Sequence, residues 1–200
     1  MIRHLPKYGN DFDDVDEIVA NVFDSYLELL PSYKTERSGK GPVISRYTMS
    51  TSNITAYVPN GLEVGATPDG RFAYQPLNEG CSPTQGTDTH GPTAVLKSVS
   101  KLPNHQVAAG QLLNMRFTPS SLSKDEDLDK FIDLLRTSIE LNIYHNQFNI
   151  VDTKTLRDAQ KHPQMYSDLI VRVAGYCAQF ISLMPEAQEA IIARSEHGHG

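Results

Sequence analysis

The 200-residue sequence predicts an α/β fold, and two patterns support this prediction. Segments whose apolar residues recur at three- and four-residue steps alternate with segments rich in β-branched and aromatic residues. The predicted strands are nevertheless few for the number of loop residues that separate them. The sequence therefore indicates part of a larger α/β body, because a lone piece would leave sheet edges and helix faces uncovered.

Five segments carry the signals of helices. The first covers residues 11–30, with acidic residues in its first turn and Pro31 directly after its last residue. Asp152 is a predicted N-cap of a later short helix. The four other predicted helices cover residues 93–101, 125–141, 155–160 and 185–194.

Strands are predicted where β-branched and aromatic residues are enriched. These segments are residues 43–58, 106–117, 143–151, 169–174 and 177–183. Residues 59–92 are rich in glycine and proline and show no apolar period. So long an irregular stretch is commonly functional or wraps a larger body. The polar tail, residues 195–200, is expected to fray.

Composition excludes several classes of protein. With 39% hydrophobic and 21% charged residues the chain is typical of globular proteins, and its net charge of -6 argues against a nucleic-acid partner. No apolar run has membrane-spanning length, so we expect no membrane partner. The two cysteines, Cys81 and Cys177, form no CxxC pair and indicate reduced thiols in a cytosolic protein.

Gly175 interrupts an apolar, strand-like run over residues 168–176, whose sequence is DLIVRVAGY. Taken alone, a glycine in such a run indicates a bulge or a close approach of backbone. The residues that follow change this interpretation, because Gln179-Phe180 and a helix over residues 186–194 complete a longer motif.

This motif closely resembles the signature of the glycyl radical enzymes, the pyruvate formate-lyase-like family. Other blocks resemble that family in the same order along the chain: PKYGND at 6–11, VGATPDGR at 64–71, SPTQG at 82–86, GPTAVLKS at 91–98, QFN at 147–149 and DAQKHP at 158–163. The resemblance covers nearly the whole chain. It implies the C-terminal portion of such an enzyme, including the glycine radical domain.

The family fold is a ten-stranded α/β barrel with helices packed outside and two facing finger loops. The resemblance implies that this chain supplies the last strands of the barrel and a buried glycyl loop. Residues 1–60 would then belong to the end of the barrel domain. Residues 61–200 would form the glycine radical domain, with its signature near 168–194.

By resemblance, Gly175 is the catalytic residue that stores the radical. An α-carbon radical is stabilised when its electron spreads into the flanking amide groups, and only glycine offers a bare C–H at a planar carbon. A separate radical S-adenosylmethionine activating enzyme, which carries an iron–sulfur cluster, would install it. This chain lacks a three-cysteine cluster motif and is expected to bind no cofactor itself.

The stored radical would generate a thiyl radical on a cysteine outside this chain, which then abstracts hydrogen from a small-molecule substrate. Cys81 and Cys177 are therefore both predicted to be packing residues. Ala174, directly before the glycine, resembles the dehydratase, C–N or C–S lyase, decarboxylase and arylsuccinate synthase branches. Pyruvate formate-lyase itself usually has serine there. The sequence does not identify the substrate.

Several forms of the protein remain open at this point. The chain could be a fragment, a split-gene subunit, or a stand-alone radical carrier that repairs another glycyl radical enzyme. A degenerate binding or structural module is a further alternative. The implied partners are the activating enzyme and either an upstream barrel chain or a second copy. The expected location is the cytoplasm, or a bacterial microcompartment, of an anaerobe or facultative anaerobe.

Four other residues are weaker candidates. Arg46, on a predicted strand, is a speculative substrate-binding residue, and a solvated arginine is the alternative. His145 and Asn149 lie near a strand end and either orient loops or are satisfied structural groups. His197 has one further histidine nearby but no third ligand, so no metal site is predicted.

Overall fold

A computed structural model describes residues 4–34 and 47–198 of the chain. Within these ranges it contains five short strands: β1 (Leu113–Phe117), β2 (Asn146–Ile150), β3 (Ile170–Arg172), β4 (Cys177–Gln179) and β5 (Glu196–His197). The α-helices are α1 (Asp13–Leu27), α2 (Tyr57–Glu63), α3 (Pro92–Ser100), α4 (Asp125–Glu140), α5 (Thr153–Lys161) and α6 (Pro185–Ala193). The predicted α/β class is confirmed.

The strands form one parallel sheet and one hairpin. Strand β1 lies between β2 and β5 and pairs with both in parallel. Parallel neighbours need a crossover connection, and α4 lies in the connection between β1 and β2. Strands β3 and β4 form a separate antiparallel hairpin. Helix α6 then leads the chain back from this hairpin to the sheet, where β5 joins the free edge of β1.

The two faces of the β1–β2 pair differ in chemistry because side chains alternate along a strand. On one face, Leu113, Met115 and Phe117 pack into a core that also contains residues of α3 and the ring of Phe148. The opposite face, called the polar face below, consists of four buried polar residues: Asn114, Arg116, Gln147 and Asn149. The strand register pairs Asn114 with Gln147 and Arg116 with Asn149.

A second hydrophobic cluster supports the β3–β4 hairpin. Val171, Val173 and Phe180 pack against Leu156 of α5 and Ile191 of α6. Burying these apolar side chains holds the base of the hairpin against both helices. The hairpin is therefore part of the packed body at its base, and only its tip extends beyond the cluster.

The five predicted helices are all confirmed, with small shifts at their ends. Helix α1 ends at Leu27, and Pro31 lies in a short 3₁₀ turn after it. Asp152 caps α5 as predicted, because its Oδ1 accepts the Thr155 N–H at 2.6 Å. No helix in the described ranges combines the length and apolar composition that crossing a bilayer requires.

The predicted strand over residues 43–58 is wrong in its described part. Residues 47–56 form no strand, and Tyr57 begins α2, which buries both Tyr57 and Val58. Pro59 lies in the first turn of α2, where its missing N–H leaves no helical hydrogen bond unmade. Packing of this segment thus overrides the strand preference of its aromatic and β-branched residues.

Two predictions for the C-terminal region are corrected. The chain resumes as strand after Gly175 only as far as Gln179, because Phe180–Ser182 form a 3₁₀ turn. The tail is not frayed over its described residues. Glu196–His197 form β5, and His197 is buried, because parallel pairing with β1 gives this polar segment backbone partners.

Candidate functional site

Gly175 lies at the tip of the β3–β4 hairpin, which is called the glycine hairpin below. The backbone N–H of Val173 donates to the carbonyl of Tyr176 at 2.9 Å and closes the tip. Gly175 has a φ of +94°, in the left-handed region that favours glycine. A Cβ placed there would meet Ser52 Oγ at 3.6 Å, an ordinary contact distance. Backbone conformation, rather than lack of space, therefore favours glycine at this tip.

Burial changes abruptly along the tip. Val173 and Ala174 are fully buried, whereas Gly175 is exposed. The predicted burial of the glycyl loop inside a barrel therefore stays a prediction, since the described chain alone leaves Gly175 exposed. The physical reason is local, because none of the described segments covers the outer side of Gly175. Shielding the α-carbon from water and oxygen requires atoms from beyond these residues.

Side chains of the polar face bind the backbone of the glycine hairpin. Asn149 makes two hydrogen bonds with Arg172: its Nδ2 donates to the carbonyl at 2.8 Å, and its Oδ1 accepts the N–H at 2.7 Å. Asn114 Nδ2 donates to the carbonyl of Val173 at 3.1 Å. This geometry matches the predicted loop-orienting role of Asn149. Its side chain makes the two hydrogen bonds to Arg172 that a neighbouring strand would otherwise make.

Gln147 reaches Gly175 itself. Its Oε1 accepts the Gly175 N–H at 3.1 Å. Its Nε2 lies 3.2 Å from Nε2 of His145, which precedes β2. Burial, with a smaller contribution from the charge of Arg172, lowers the pKa of His145 below its ordinary value. A neutral His145 can accept a hydrogen bond from the Gln147 amide and so fix which end of that amide faces Gly175.

Arg194, directly after α6, also binds the backbone of the hairpin. Its Nη2 donates to the carbonyl of Val173 at 2.9 Å and lies 3.2 Å from Oε2 of Glu79. Both partners of this ion pair are buried. Burial raises the pKa of Glu79, and the charge of Arg194 opposes that shift. The guanidinium thus ties the hairpin to the loop that contains Glu79.

The two cysteines lie in contrasting environments. Cys81 is buried, its Sγ donates to the carbonyl of Leu112 at 3.2 Å, and burial raises its thiol pKa to about 12. Its predicted packing role is confirmed. The same prediction is wrong for Cys177, which is exposed on β4 and accepts a hydrogen bond from Arg172 Nη1 at 3.1 Å. Strand alternation at the hairpin directs this side chain outwards.

Of the remaining candidates, the structure describes His197. Arg46 falls outside the described residues, as does His199 of the tail. The side chain of His197 is buried, with its Nε2 3.3 Å from Oδ2 of Asp88. No group of three or more metal-ligating side chains occurs within residues 4–34 and 47–198.

Several residues that hold the hairpin were missed by the sequence reasoning: Glu79, Asn114, Gln147 and Arg194. A signal for two of them was available, because Asn114 and Gln147 belong to polar–apolar alternations within predicted strands. Such alternation usually marks a solvent-facing side. Here the polar side is buried, and its side chains serve as hydrogen-bond partners for another backbone.

Comparisons with protein-family models match two parts of the chain. Residues 77–181, which include the glycine hairpin, match the glycine radical model. Residues 1–61 match the pyruvate formate lyase-like model. The first match covers more than half of the chain and extends over both strands of the polar face.

Relatives and solved structures match over nearly the whole chain. A probable dehydratase, YbiW of Escherichia coli K12, is 50% identical over 98% of this chain and 24% of its own length. The indoleacetate decarboxylase of Tractidigestivibacter scatoligenes is 42% identical over 98% of this chain and 22% of its own. A solved structure concerning 1,2-propanediol dehydration in Roseburia inulinivorans is 43% identical, with a TM-score of 0.91 over 98% of this chain and 24% of that chain. The chain thus spans about a quarter of the length of these proteins.

Proposed function

The chain belongs to the glycine radical family, and we propose that it is the radical-bearing C-terminal portion of a glycyl radical lyase-type enzyme. The radical is stored on Gly175. One observation carries this assignment: a glycine of positive φ occupies the tip of a hairpin whose backbone is held by buried polar side chains. These hydrogen bonds hold the glycine hairpin on the side of β3 where no described strand pairs with it.

The chemistry requires a hydrogen atom to leave the Gly175 α-carbon. A radical S-adenosylmethionine activating enzyme, with its iron–sulfur cluster, supplies that abstraction. The remaining unpaired electron spreads into the two flanking amides, and no side chain crowds the planar carbon. The radical then takes a hydrogen atom from a cysteine outside this chain, and the resulting thiyl radical acts on a small-molecule substrate.

The residues around Gly175 hold the tip and take no part in the reaction themselves. Asn149 and Asn114 bind the two residues that lead into the tip, and Arg194 binds the same backbone from the side of α6. Exposure of Gly175 in the chain alone supports a cover supplied by the upstream part of a ten-stranded barrel. In this arrangement residues 1–60 complete the barrel domain and residues 61–200 form the glycine radical domain.

The relatives support a broad class of reaction rather than one substrate. They include a probable dehydratase and a decarboxylase, so the proposed reaction is an elimination or a C–C cleavage begun by hydrogen abstraction. Arg46 is the proposed contact for an anionic substrate. The proposed location is the cytoplasm, with a microcompartment as the alternative.

A second candidate function is a stand-alone radical carrier that completes another glycyl radical enzyme. The exposure of Gly175 supports this candidate as well as the first, because a tip left open by its own chain can enter a site formed by a different polypeptide. The two candidates share the radical and differ in the covering chain. Copurification of an upstream barrel chain encoded beside this one would favour the first.

Electron paramagnetic resonance tests the shared claim. The chain is co-expressed anaerobically with an activating enzyme, and we expect a glycyl doublet that disappears in Gly175→Ala. Gly91→Ala is the matched control, since Gly91 also has a positive φ of +85° and open space around it. A doublet of full intensity in Gly175→Ala would contradict the proposal.

A further inference from the structure

The Gly175 amide is bound by a side chain that has no other hydrogen-bonding role in the described hairpin. Asn149, Asn114 and Arg194 bind residues 172 and 173, whereas the Gln147 carboxamide accepts the N–H of Gly175. Gln147 is buried on β2, and the strand pairing with Asn114 on β1 fixes its backbone. Within the described hairpin, the side chain of Gln147 therefore bonds only to the tip.

The backbone angle at Gly175 makes this contact chemically relevant. An α-carbon radical overlaps with the lone pair of its own nitrogen only when the N–Cα–C plane and the preceding amide plane nearly coincide, at φ near 180°. At +94° the two planes are close to perpendicular. Forming the delocalised radical therefore requires rotation about the N–Cα bond, and one of the two flanking peptides must move.

The two flanking peptides are held very differently. The peptide before Gly175 follows the fully buried Ala174, and its N–H is bound by Gln147. The peptide after Gly175 leads to Tyr176, whose carbonyl accepts the Val173 N–H at 2.9 Å, and then to the exposed Cys177; within the described residues no side chain binds this peptide. The rotation therefore falls on the second peptide, since moving the first would expose Ala174 and break the hydrogen bond to Gln147.

We propose that Gln147, oriented by His145, is a positioning residue for the radical: it holds the amide on the nitrogen side of Gly175 while the following peptide rotates into plane. This inference rests on the proposed function. An acceptor on the N–H also increases electron donation by the nitrogen lone pair, so Gln147 affects how much spin reaches that nitrogen. Asn149 and Asn114 bind backbone groups further from the α-carbon and have no such effect.

The first arm of the test needs no radical. Hydrogen–deuterium exchange with residue-resolved fragmentation is measured on the unactivated full chain, in the assembly that it forms. We expect Gln147→Met to speed exchange of the Gly175 N–H by roughly tenfold, because one hydrogen bond is lost. Gln147→Glu keeps an acceptor oxygen and should retain protection. Gln160→Ala is the control, because Gln160 bonds Gln188 and Glu189 between α5 and α6, away from the tip.

The second arm uses activated chain labelled with [¹⁵N]glycine. Electron–nuclear double resonance measures the ¹⁵N hyperfine coupling of the radical, which a merely structural role of Gln147 would leave unchanged. We expect the coupling to change in Gln147→Met, to change in the opposite direction or stay close to wild type in Gln147→Glu, whose carboxylate is a stronger acceptor, and to match wild type in Gln160→Ala.

The outcomes of the two arms test the positioning role and the proposed function separately. A Gly175 N–H that is unprotected in wild type, or a coupling that is unchanged in Gln147→Met, overturns the positioning role. The same conclusion follows if Gln147→Met does not fold and Gln147→Glu, tested in its place, leaves the Gly175 N–H unprotected. If exchange responds as expected but wild type forms no radical, the hydrogen bond stands while the proposed function fails, and with it the positioning role.

Discussion

The two faces of the β1–β2 pair bury similar numbers of side chains but by different physical means. The apolar face packs Leu113, Met115 and Phe117 against α3 and Phe148, with no directional partner required. The polar face buries amide and guanidinium groups that must each find hydrogen-bond partners, and it finds them in the hairpin and the C-terminal segment. One face thus contributes mainly stability, and the other positions a loop.

Substitutions on the two faces should have different effects. Removing atoms from the apolar face leaves a cavity whose cost is spread over the sheet. Removing a group from the polar face removes a specific hydrogen bond to a carbonyl or N–H of the hairpin. Stability and local order at Gly175 should therefore respond separately to substitutions on the two faces.

The largest loss of stability is expected for Arg194→Met. This change leaves Glu79 buried without its cation and should lower the free energy of unfolding by about 3–5 kcal/mol. Urea unfolding of the chain measures it. The double variant Glu79→Leu/Arg194→Met is the control and should recover much of the loss, since no buried charge remains. A loss below about 1 kcal/mol in the single variant would show that the buried pair is not important.

Leu113→Ala probes the apolar face. Leu113 is fully buried, so we expect a loss of about 2–5 kcal/mol from the cavity and the lost transfer energy. Exchange of the Gly175 N–H, measured under native conditions, should nevertheless remain close to that of wild type. A large and selective increase in exchange at Gly175 would remove the distinction between the two faces.

Asn149→Ala probes the polar face. It leaves the Arg172 N–H without its side-chain partner and the Arg172 carbonyl with only the 3.4 Å contact from Arg194 Nη1, at a cost of about 2 kcal/mol. We expect exchange to rise chiefly within residues 170–179, as measured by hydrogen–deuterium exchange. If protection fell uniformly over the whole chain, Asn149 would be a general stabilising residue rather than a hairpin contact.

The smallest effect is expected for Cys177→Ser, within about 0.5 kcal/mol, because this side chain is exposed. The same variant should abolish rapid alkylation by iodoacetamide at pH 8. Cys81, whose thiol is buried with a pKa of about 12, should stay unmodified until the chain unfolds. Peptide mass spectrometry measures both sites, and rapid native labelling of Cys81 would contradict its place in the core.

Helices and the hairpin glycine could be predicted from local patterns. Apolar spacing, acidic first turns and proline positions located the helices, since these signals act within one or two turns. The motif around Gly175 predicts the role proposed for it. The environment of the hairpin could not be predicted this way, because Asn114 and Gln147 are 33 positions apart and become neighbours only when β1 and β2 pair.

The errors have the same origin. The segment before Tyr57 has the composition of a strand but forms none in its described part, because α2 buries Tyr57 and Val58 instead. Glu196 and His197 look like a frayed tail, yet they pair with β1. Cys177 resembles a packing residue in sequence, but the hairpin directs it outwards. In each case packing or strand pairing, rather than the preference of the residues themselves, determines the conformation or the burial.

The most direct measurement is mass spectrometry of the activated chain after it meets air. A stored α-carbon radical reacts with oxygen and breaks the backbone where it resides. Wild type and Gly91→Ala should therefore both be cut at Gly175, and Gly175→Ala should stay intact. A wild-type chain that remains whole after activation and air exposure, or a Gly175→Ala chain cut at the same position, would contradict radical storage on this glycine.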